Sequence, residues 1–259
     1  MSNDSSKPLQ PAELPNPDKK GVTWGPLSAV LVTILAFVGA QFFAGALLAF
    51  GFGRDQAWLN TITGQFIFVL ISDVLIVCTL GLFLRSRKAT LKMLGFGRRP
   101  TLGDAGRAML AFVLYFLALI VITSVLSNVT GFNANQKQEL GFDNLFTAPE
   151  RLMALVSLVI LPPFIEETVF HGFLFGGLRK RFTFVWAALI TSVLFAAPHL
   201  LESSQGLLWV GGVDTFVLSL VLCYLRERTG ALWASIFVHG IKNGLALALL
   251  IFGSRFLGG

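Results

Sequence analysis

Two adjacent carboxylates and a histidine interrupt a stretch of this chain that is otherwise as apolar as a lipid tail. They are Glu166, Glu167 and His171, and they lie within Leu152–Leu178, shortly after the pair Pro162-Pro163. A charged side chain at the centre of a bilayer costs between about 2.5 and more than 10 kcal/mol, depending on how it is measured, and such residues usually mark function. The pattern therefore predicts a membrane-spanning segment that carries a functional site.

Composition places the rest of the chain in the same class. Of the 259 residues, 54% are hydrophobic and only 13% are charged, and the mean hydropathy of +0.74 lies well outside the range of soluble domains. The apolar runs are too long and continuous for barrel strands, which would alternate over segments of about ten residues. Cys78 and Cys223 both fall inside apolar runs, which does not suggest a disulfide framework. The expected fold is an all-α polytopic integral membrane protein.

About seven apolar runs are long enough, or nearly so, to cross roughly 30 Å of hydrocarbon as helices. The fifth and sixth are the shortest, so a re-entrant segment is an alternative there. In chain order the runs are Trp24–Phe52, Ala57–Leu84, Ala108–Val129, Leu152–Leu178, Phe184–Leu200, Leu207–Leu225 and Ala231–Phe252.

The runs divide the chain into four parts. Residues 1–22 are polar and lack the apolar core of a cleavable signal, so we expect a disordered cytoplasmic tail. Residues 23–130 hold the N-terminal transmembrane helices, and residues 131–150 form a loop that faces the outside. Residues 151–253 form a C-terminal helical bundle that holds the predicted site.

The distribution of basic residues predicts the orientation in the membrane. With the N-terminus in the cytoplasm, 15 of the 20 lysines and arginines fall in inside segments and four in outside segments, while Lys242 lies within the seventh run. Such an excess of positive charge is typical of cytoplasmic loops. The net charge of +6 is thus explained by topology. We expect a plasma-membrane protein surrounded by lipid, without a nucleic-acid partner.

All three histidines fall in the last four runs, together with the two carboxylates. At 1.5 Å per residue, Glu166, His199, His239 and Asn243 lie roughly 13 to 22 Å from the predicted cytoplasmic ends of their helices. These four side chains can therefore meet near the middle of the membrane. His239 and Asn243 are four residues apart and share one helix face.

The neighbourhood of the carboxylates has a second such pair. Glu167 and His171 are also four residues apart, whereas Glu166 is rotated by about 100° from Glu167, so the two carboxylates need not do the same work. Pro162-Pro163 removes two backbone donors and predicts a kink or a restart of the helix just before Glu166. We expect such a restart to leave free N–H groups near the site.

A carboxylate, two imidazoles and an amide in one intramembrane cavity suit hydrolysis. The carboxylate can take a proton from water, an imidazole can orient that water or protonate the leaving amine, and the amide can donate to the oxyanion. Glu166, His199 and His239 could instead hold Zn²⁺ and leave an open position for water. No HExxH motif of soluble zinc peptidases is present. The residues leave both versions open.

Three short motifs, in this order, resemble those of the CPBP family, which comprises CAAX prenyl proteases of the Ras-converting type and bacteriocin-processing or immunity (Abi) proteins. The resemblance covers about residues 150–252, and its motifs are Glu166-Glu167-x-x-x-His171, Phe195-x-x-x-His199 and His239-x-x-x-Asn243. It implies that Glu166 activates water and that His199 and His239 are catalytic or metal-binding. It also implies that Asn243 is the oxyanion or ligand residue. We expect Glu167, His171 and Phe195 to surround and support these four residues.

The chain departs from the family pattern at His171, where the family has Arg. The leading hypothesis is an intramembrane endopeptidase acting on a membrane-embedded or lipid-anchored protein or peptide. The alternative is a catalytically weak or inactive member that binds a membrane partner, as an immunity or scaffold protein does. A transporter with a Glu and His proton relay is a third interpretation, which the absence of visible inverted halves disfavours.

The remaining polar and aromatic residues of the spans have simpler interpretations. We expect Asp214 and Lys242 to be structural partners between helices. Glu202, beside the outside loop, is expected to be solvated. Trp24, Trp58 and Trp233 lie near the ends of spans and are interpreted as anchors at the membrane interface.

Overall fold

Seven apolar helices make up most of the computed structural model, which describes residues 21–52, 58–136, 138, 142, 145–203 and 205–257. Six of the helices are long and apolar enough to cross a membrane, and the fifth is shorter, with 16 residues. No strand occurs within these ranges. The predicted all-α polytopic membrane fold is confirmed. The helices are α1 (Pro26–Gly51), α2 (Ile62–Ser86), α3 (Leu102–Thr130), α4 (Ala148–Arg179), α5 (Phe184–His199), α6 (Trp209–Thr229) and α7 (Trp233–Gly253).

Short polar signals set the ends of several helices. Thr101 and Thr147 each accept a hydrogen bond from the backbone N–H three residues later, and the acidic residue at that position reaches back, which completes a capping box at the start of α3 and of α4. Gly131 and Gly230 end α3 and α6 with φ of 71° and 64°, a left-handed conformation that favours glycine.

Helix α4 lies at the centre of the bundle. It packs against α1, α2, α5, α6 and α7, whereas α3 packs on α6 and α7. All residues from 169 to 178 are buried, so the C-terminal half of α4 is enclosed by protein rather than by lipid. Polar side chains in that half of α4 are therefore shielded from both water and hydrocarbon.

Helix α4 departs from regular α-helical geometry on both sides of the proline pair. Residues Leu155–Ile160 and Glu167–Leu174 form π-helical turns, and between them a new α-helical segment begins at Leu161. The restart lies where Pro162-Pro163 predicted it. Turns of this kind are rare and often lie at functional sites, and α4 contains two of them.

The segment between α2 and α3 folds back against the inner bundle. Leu94 is buried, and Gly95, with φ of 108°, accepts a hydrogen bond of 3.2 Å from the N–H of Leu232. A Cβ on Gly172 would lie only 2.7 Å from the carbonyl oxygen of Leu94. This close approach fixes the segment beneath the residue that follows His171.

An ion pair holds the C-terminal end of the same segment against the start of α3. The guanidinium of Arg98 donates two hydrogen bonds of 2.6 Å to the carboxylate of Asp104, and these bonds raise the pKa of Arg98 above its ordinary value. The indole N–H of Trp233 donates to the carbonyl oxygen of Arg98 at 2.7 Å. The segment is thus tied to both α3 and α7.

Trp24 lies in the core, so its interpretation as an interface anchor is wrong. It is 1% exposed, its indole N–H donates to the carbonyl oxygen of Phe173 at 2.9 Å, and the two rings stack with centroids 5.0 Å apart. The approach requires Gly177, on which a Cβ would lie 2.8 Å from the indole ring. Val22 is buried as well, while residues 1–20 of the predicted tail lie outside the described part of the chain.

Candidate active site

The residues of the three sequence motifs come from three helices of the bundle. Helix α4 supplies the two carboxylates and one histidine, and α5 and α7 supply the rest. In chain order they are Glu166, Glu167 and His171 on α4, Phe195 and His199 on α5, and His239 and Asn243 on α7.

Glu167 is fully buried between two imidazoles. Its Oε1 lies 2.9 Å from Nδ1 of His239 in a hydrogen bond, and its Oε2 lies 2.9 Å from Nδ1 of His171. The second contact does not have the geometry of a hydrogen bond. Because a carboxylate only accepts, Nδ1 of His239 carries its proton and Nε2 faces the site.

Glu166 presents an unpaired carboxylate oxygen to that imidazole. Its Oε2 is buried without a hydrogen-bond partner and lies 4.0 Å from Nε2 of His239. This separation is too long for a direct hydrogen bond and suits a bridging water. For a water about 2.8 Å from both atoms, the angle at its oxygen between Glu166 Oε2 and His239 Nε2 would be about 90°. This is close to the angle between the two hydrogens of a water molecule.

His199 is oriented by its own helix. Its Nδ1 lies 2.9 Å from the carbonyl oxygen of Phe195, so this nitrogen donates and Nε2 is left available. The Nε2 atom lies 3.9 Å from Oε1 of Glu202. His199 therefore lies beside Glu202. An aromatic ring lies between His199 and the site residues of α4 and α7.

That ring is Phe195, which contacts all three imidazoles. Its centroid lies 5.4 Å from His171, 5.4 Å from His199 and 5.8 Å from His239. Phe195 is 1% exposed, so the ring is held in place by packing. An apolar ring at this position keeps bulk water from between the imidazoles and fixes their spacing.

Asn243 meets α4 at a carbonyl that the prolines leave without a partner. The residues whose N–H would reach the carbonyl of Leu158 are Pro162 in an α-turn and Pro163 in a π-turn, and neither has an N–H. The side-chain Nδ2 of Asn243 donates to this oxygen at 2.8 Å instead. The proline pair was expected to free N–H groups near the site, whereas the group observed here is a freed acceptor.

Glu202 is a candidate functional residue that sequence reasoning missed. We expected a solvated side chain, but it is partly buried, accepts a hydrogen bond from Nε2 of Gln138 and lies beside His199. The spacing of three residues from His199 was the available signal. Asp73 on α2 was also passed over. Its Oδ2 is buried without a hydrogen-bond partner, and it lies close enough to Glu166 to interact electrostatically.

Asp214 and Lys242 form the contact between helices that the sequence predicted. Nζ of Lys242 lies 3.1 Å from Oδ2 of Asp214, and the hydroxyl of Tyr115 donates to Oδ1 of the same carboxylate. The three side chains connect α3, α6 and α7. A charged pair between helices in the membrane is thereby neutralised within the bundle.

The predicted zinc ligands do not fit a metal ion as they are placed. Two ligand atoms of one tetrahedral zinc lie about 3.3 Å apart, whereas Glu166 Oε2 and His239 Nε2 are 4.0 Å apart and His199 Nε2 faces Glu202. In the described part of the chain, no group of three His, Cys, Asp or Glu side chains is spaced to hold a metal.

The fold and the site define a class of protein. It is an all-helical membrane protein whose central helix presents one unpaired carboxylate and one paired carboxylate to imidazoles from the surrounding helices. Residues 148–245 match the family model described as type II CAAX prenyl endopeptidase, Rce1-like. All seven predicted site residues fall within the matched region. The resemblance seen in the three motifs is confirmed.

Two similar proteins extend this comparison. The chain is 34% identical over 101 residues to the "Uncharacterized 24.3 kDa protein" of Escherichia coli, an alignment that spans 38% of this chain and 45% of that protein. It is 27% identical over 218 residues to the "Putative membrane peptidase YdiL" of Bacillus subtilis (strain 168), which covers 81% and 84% of the two chains. No solved structure matches. The family match and the second relative support a membrane protease.

Proposed function

We propose that this protein is an intramembrane endopeptidase, which hydrolyses a peptide bond of a membrane-embedded or lipid-anchored protein or peptide with a water activated by Glu166. One observation carries the proposal. The Oε2 atom of Glu166 is buried, has no hydrogen-bond partner and faces Nε2 of His239 across 4.0 Å. The family match and the YdiL relative support a peptidase that works in a membrane.

The gap between Glu166 and His239 suits the attacking water. Both facing atoms are acceptors when Glu166 is ionised, so the water donates one hydrogen to each, and its lone pairs point away from them. As the water oxygen bonds to the carbonyl carbon of the substrate, one proton moves to Glu166 and the carbonyl oxygen becomes an oxyanion. Glu167 holds His239 in the tautomer that this step requires.

The oxyanion then needs a donor, and the leaving nitrogen needs a proton. Asn243 has a second amide hydrogen besides the one given to Leu158, and we assign that hydrogen to the oxyanion. When the oxyanion collapses, the C–N bond breaks and Glu166 returns its proton to the leaving nitrogen. The products are a carboxyl terminus and an amine, and Glu166 is again a carboxylate.

Glu166→Gln tests the proposal, because it preserves the shape of the side chain and removes the base. We expect kcat to fall by at least ~100-fold, with KM within about twofold, in cleavage of a quenched peptide library by detergent-solubilised protein. Glu227→Gln is the matched control, since Glu227 pairs with Arg179 away from the site and its loss should leave kcat unchanged. Cleavage by Glu166→Gln at the wild-type rate would overturn the assignment and favour the partner-binding alternative.

A further inference from the structure

An apolar groove lies between α1 and α5. It encloses about 520 Å³, a size typical of ligand sites. On α1 its wall includes Ile34, Phe37 and Val38, and on the other side it includes Leu194 and Leu201. The wall of α1 contains the π-helical turn Leu35–Gly39, a geometry that is rare and often functional.

The groove lies beside the candidate active site. Glu202 lines it, and the same carboxylate lies 3.9 Å from Nε2 of His199. Phe170 lines it as well, and its ring lies 5.1 Å from the ring of Phe195, which contacts the three imidazoles. A chain lying in the groove would therefore contact Glu202, the carboxylate beside His199.

The groove also contains polar groups that an alkyl chain could not use. Gln41 of α1 lines the groove and is exposed on a helix otherwise suited to lipid. With Glu202 on the other side, it places hydrogen-bonding groups along an apolar wall.

This combination matches one kind of occupant. An extended peptide in hydrocarbon needs partners for its free N–H and C=O groups, whereas a helical segment satisfies them internally and a lipid tail has none. An intact helix is also about 10 Å wide and shields its carbonyls from attack. An extended apolar peptide uses both the apolar wall and its polar groups.

We infer that the groove between α1 and α5 binds an extended, apolar segment of the substrate polypeptide next to the bond that is cut. The inference rests on the proposed peptidase function, and it adds the substrate class and the conformation in which the substrate is held. Specificity should accordingly follow apolar residues on one side of the cleaved bond.

Filling the groove tests the inference. Ala197→Trp places a large ring in the groove, and Val185→Trp places the same ring on α5 at a position that is 59% exposed and outside the groove. The probe is a fluorescently labelled apolar peptide, with binding followed by anisotropy against protein-free micelles and cleavage followed separately. We expect Ala197→Trp to raise both Kd and KM at least about tenfold and Val185→Trp to change them less than twofold.

Gln41→Leu separates a peptide from a lipid as the occupant. The Gln41 side chain is exposed, so its replacement should not lower thermal stability. It should raise the Kd of the peptide about three- to tenfold, the effect of one hydrogen bond, and should not raise the Kd of a labelled fatty acid.

The outcomes distinguish this inference from the proposed function. A wild-type protein that binds the peptide and never cleaves it would make the peptidase function wrong while the groove assignment stands. Cleavage by wild type with no effect of Ala197→Trp on Kd or KM would make the groove assignment wrong while the function stands. Displacement of the fatty acid alone by Ala197→Trp would show a lipid site and overturn the inference.

Discussion

Glu167 holds its charge inside the protein because imidazoles replace the water it would otherwise bind. The side chain is fully buried, and its two oxygens contact one nitrogen each of His239 and His171. The far nitrogen of His171 lies 3.0 Å from the hydroxyl of Ser219, which ties α4 to α6. His171 therefore supports Glu167, and through Glu167 it supports the orientation of His239.

If His171 supports Glu167 in this way, replacing His171 should lower the free energy of unfolding. His171→Leu leaves Oε2 of the buried Glu167 without its imidazole contact, and an unsatisfied buried group costs about 1–3 kcal/mol, more when it is charged. His171→Arg, which restores the residue typical of the family, keeps a nitrogen donor for Glu167 and should cost less, although the larger side chain must fit a fully buried position. Thermal unfolding in detergent measures both. A Leu variant as stable as the wild type would contradict the role of His171.

The spacing of Glu166, His199 and His239 also predicts the response to metal removal. Because these side chains are not placed as zinc ligands, we expect incubation with a chelator to change kcat/KM less than twofold. The measurement is peptide cleavage before and after chelation, with zinc added back. Inhibition that zinc reverses would instead support two His and one Glu as ligands of a catalytic zinc.

At the scale of helices, the proline pair and Asn243 together create one contact between α4 and α7, the hydrogen bond from Asn243 to Leu158, which we call the joint. Pro162 and Pro163 leave the carbonyl of Leu158 without a backbone donor, and Asn243 supplies one. The distance between Glu166 and His239 depends on this contact.

A double-mutant cycle can test the joint. Asn243→Ala should destabilise the protein by about 1–3 kcal/mol, because a buried carbonyl loses its donor. Pro162→Ala supplies an N–H to the same carbonyl, so Asn243→Ala should cost much less in that background. Cleavage should remain low in the double variant, since the donor to the oxyanion is still missing. Equal costs in both backgrounds would contradict the joint.

The helices could be predicted from the sequence more completely than their ends or contacts. Hydrocarbon thickness demands long apolar runs, and each of the seven predicted runs contains a helix. The third begins at Leu102 instead of Ala108, because its first turn is built by the polar capping box of Thr101 and Asp104, which an apolar run does not register. Residue spacing likewise predicts which side chains share a helix face. It does not predict that Asn243 donates its hydrogen bond to the carbonyl of Leu158 on another helix.

At the scale of the whole molecule, the segment between α2 and α3 combines two features. It carries basic residues on its exposed side and packs against the bundle with its buried side. The segment between α2 and α3 carries basic residues that the sequence assigns to the cytoplasm, and its buried Leu94 and Gly95 pack beneath α4. Moving that segment across the membrane would require several Lys and Arg side chains to cross hydrocarbon. The predicted orientation of the bundle therefore rests on the same segment that packs beneath α4.

Cysteine labelling can test this orientation. Native Cys78 and Cys223 are first replaced by Ala, and single cysteines are then introduced by Arg87→Cys or Asn133→Cys at exposed positions at opposite ends of the bundle. Because basic residues favour the cytoplasmic side, a membrane-impermeant maleimide should label Asn133→Cys in intact cells and Arg87→Cys only after permeabilisation. Both variants should label equally in detergent, which controls for accessibility. Labelling of Arg87→Cys alone in intact cells would reverse the orientation and place the N-terminus outside.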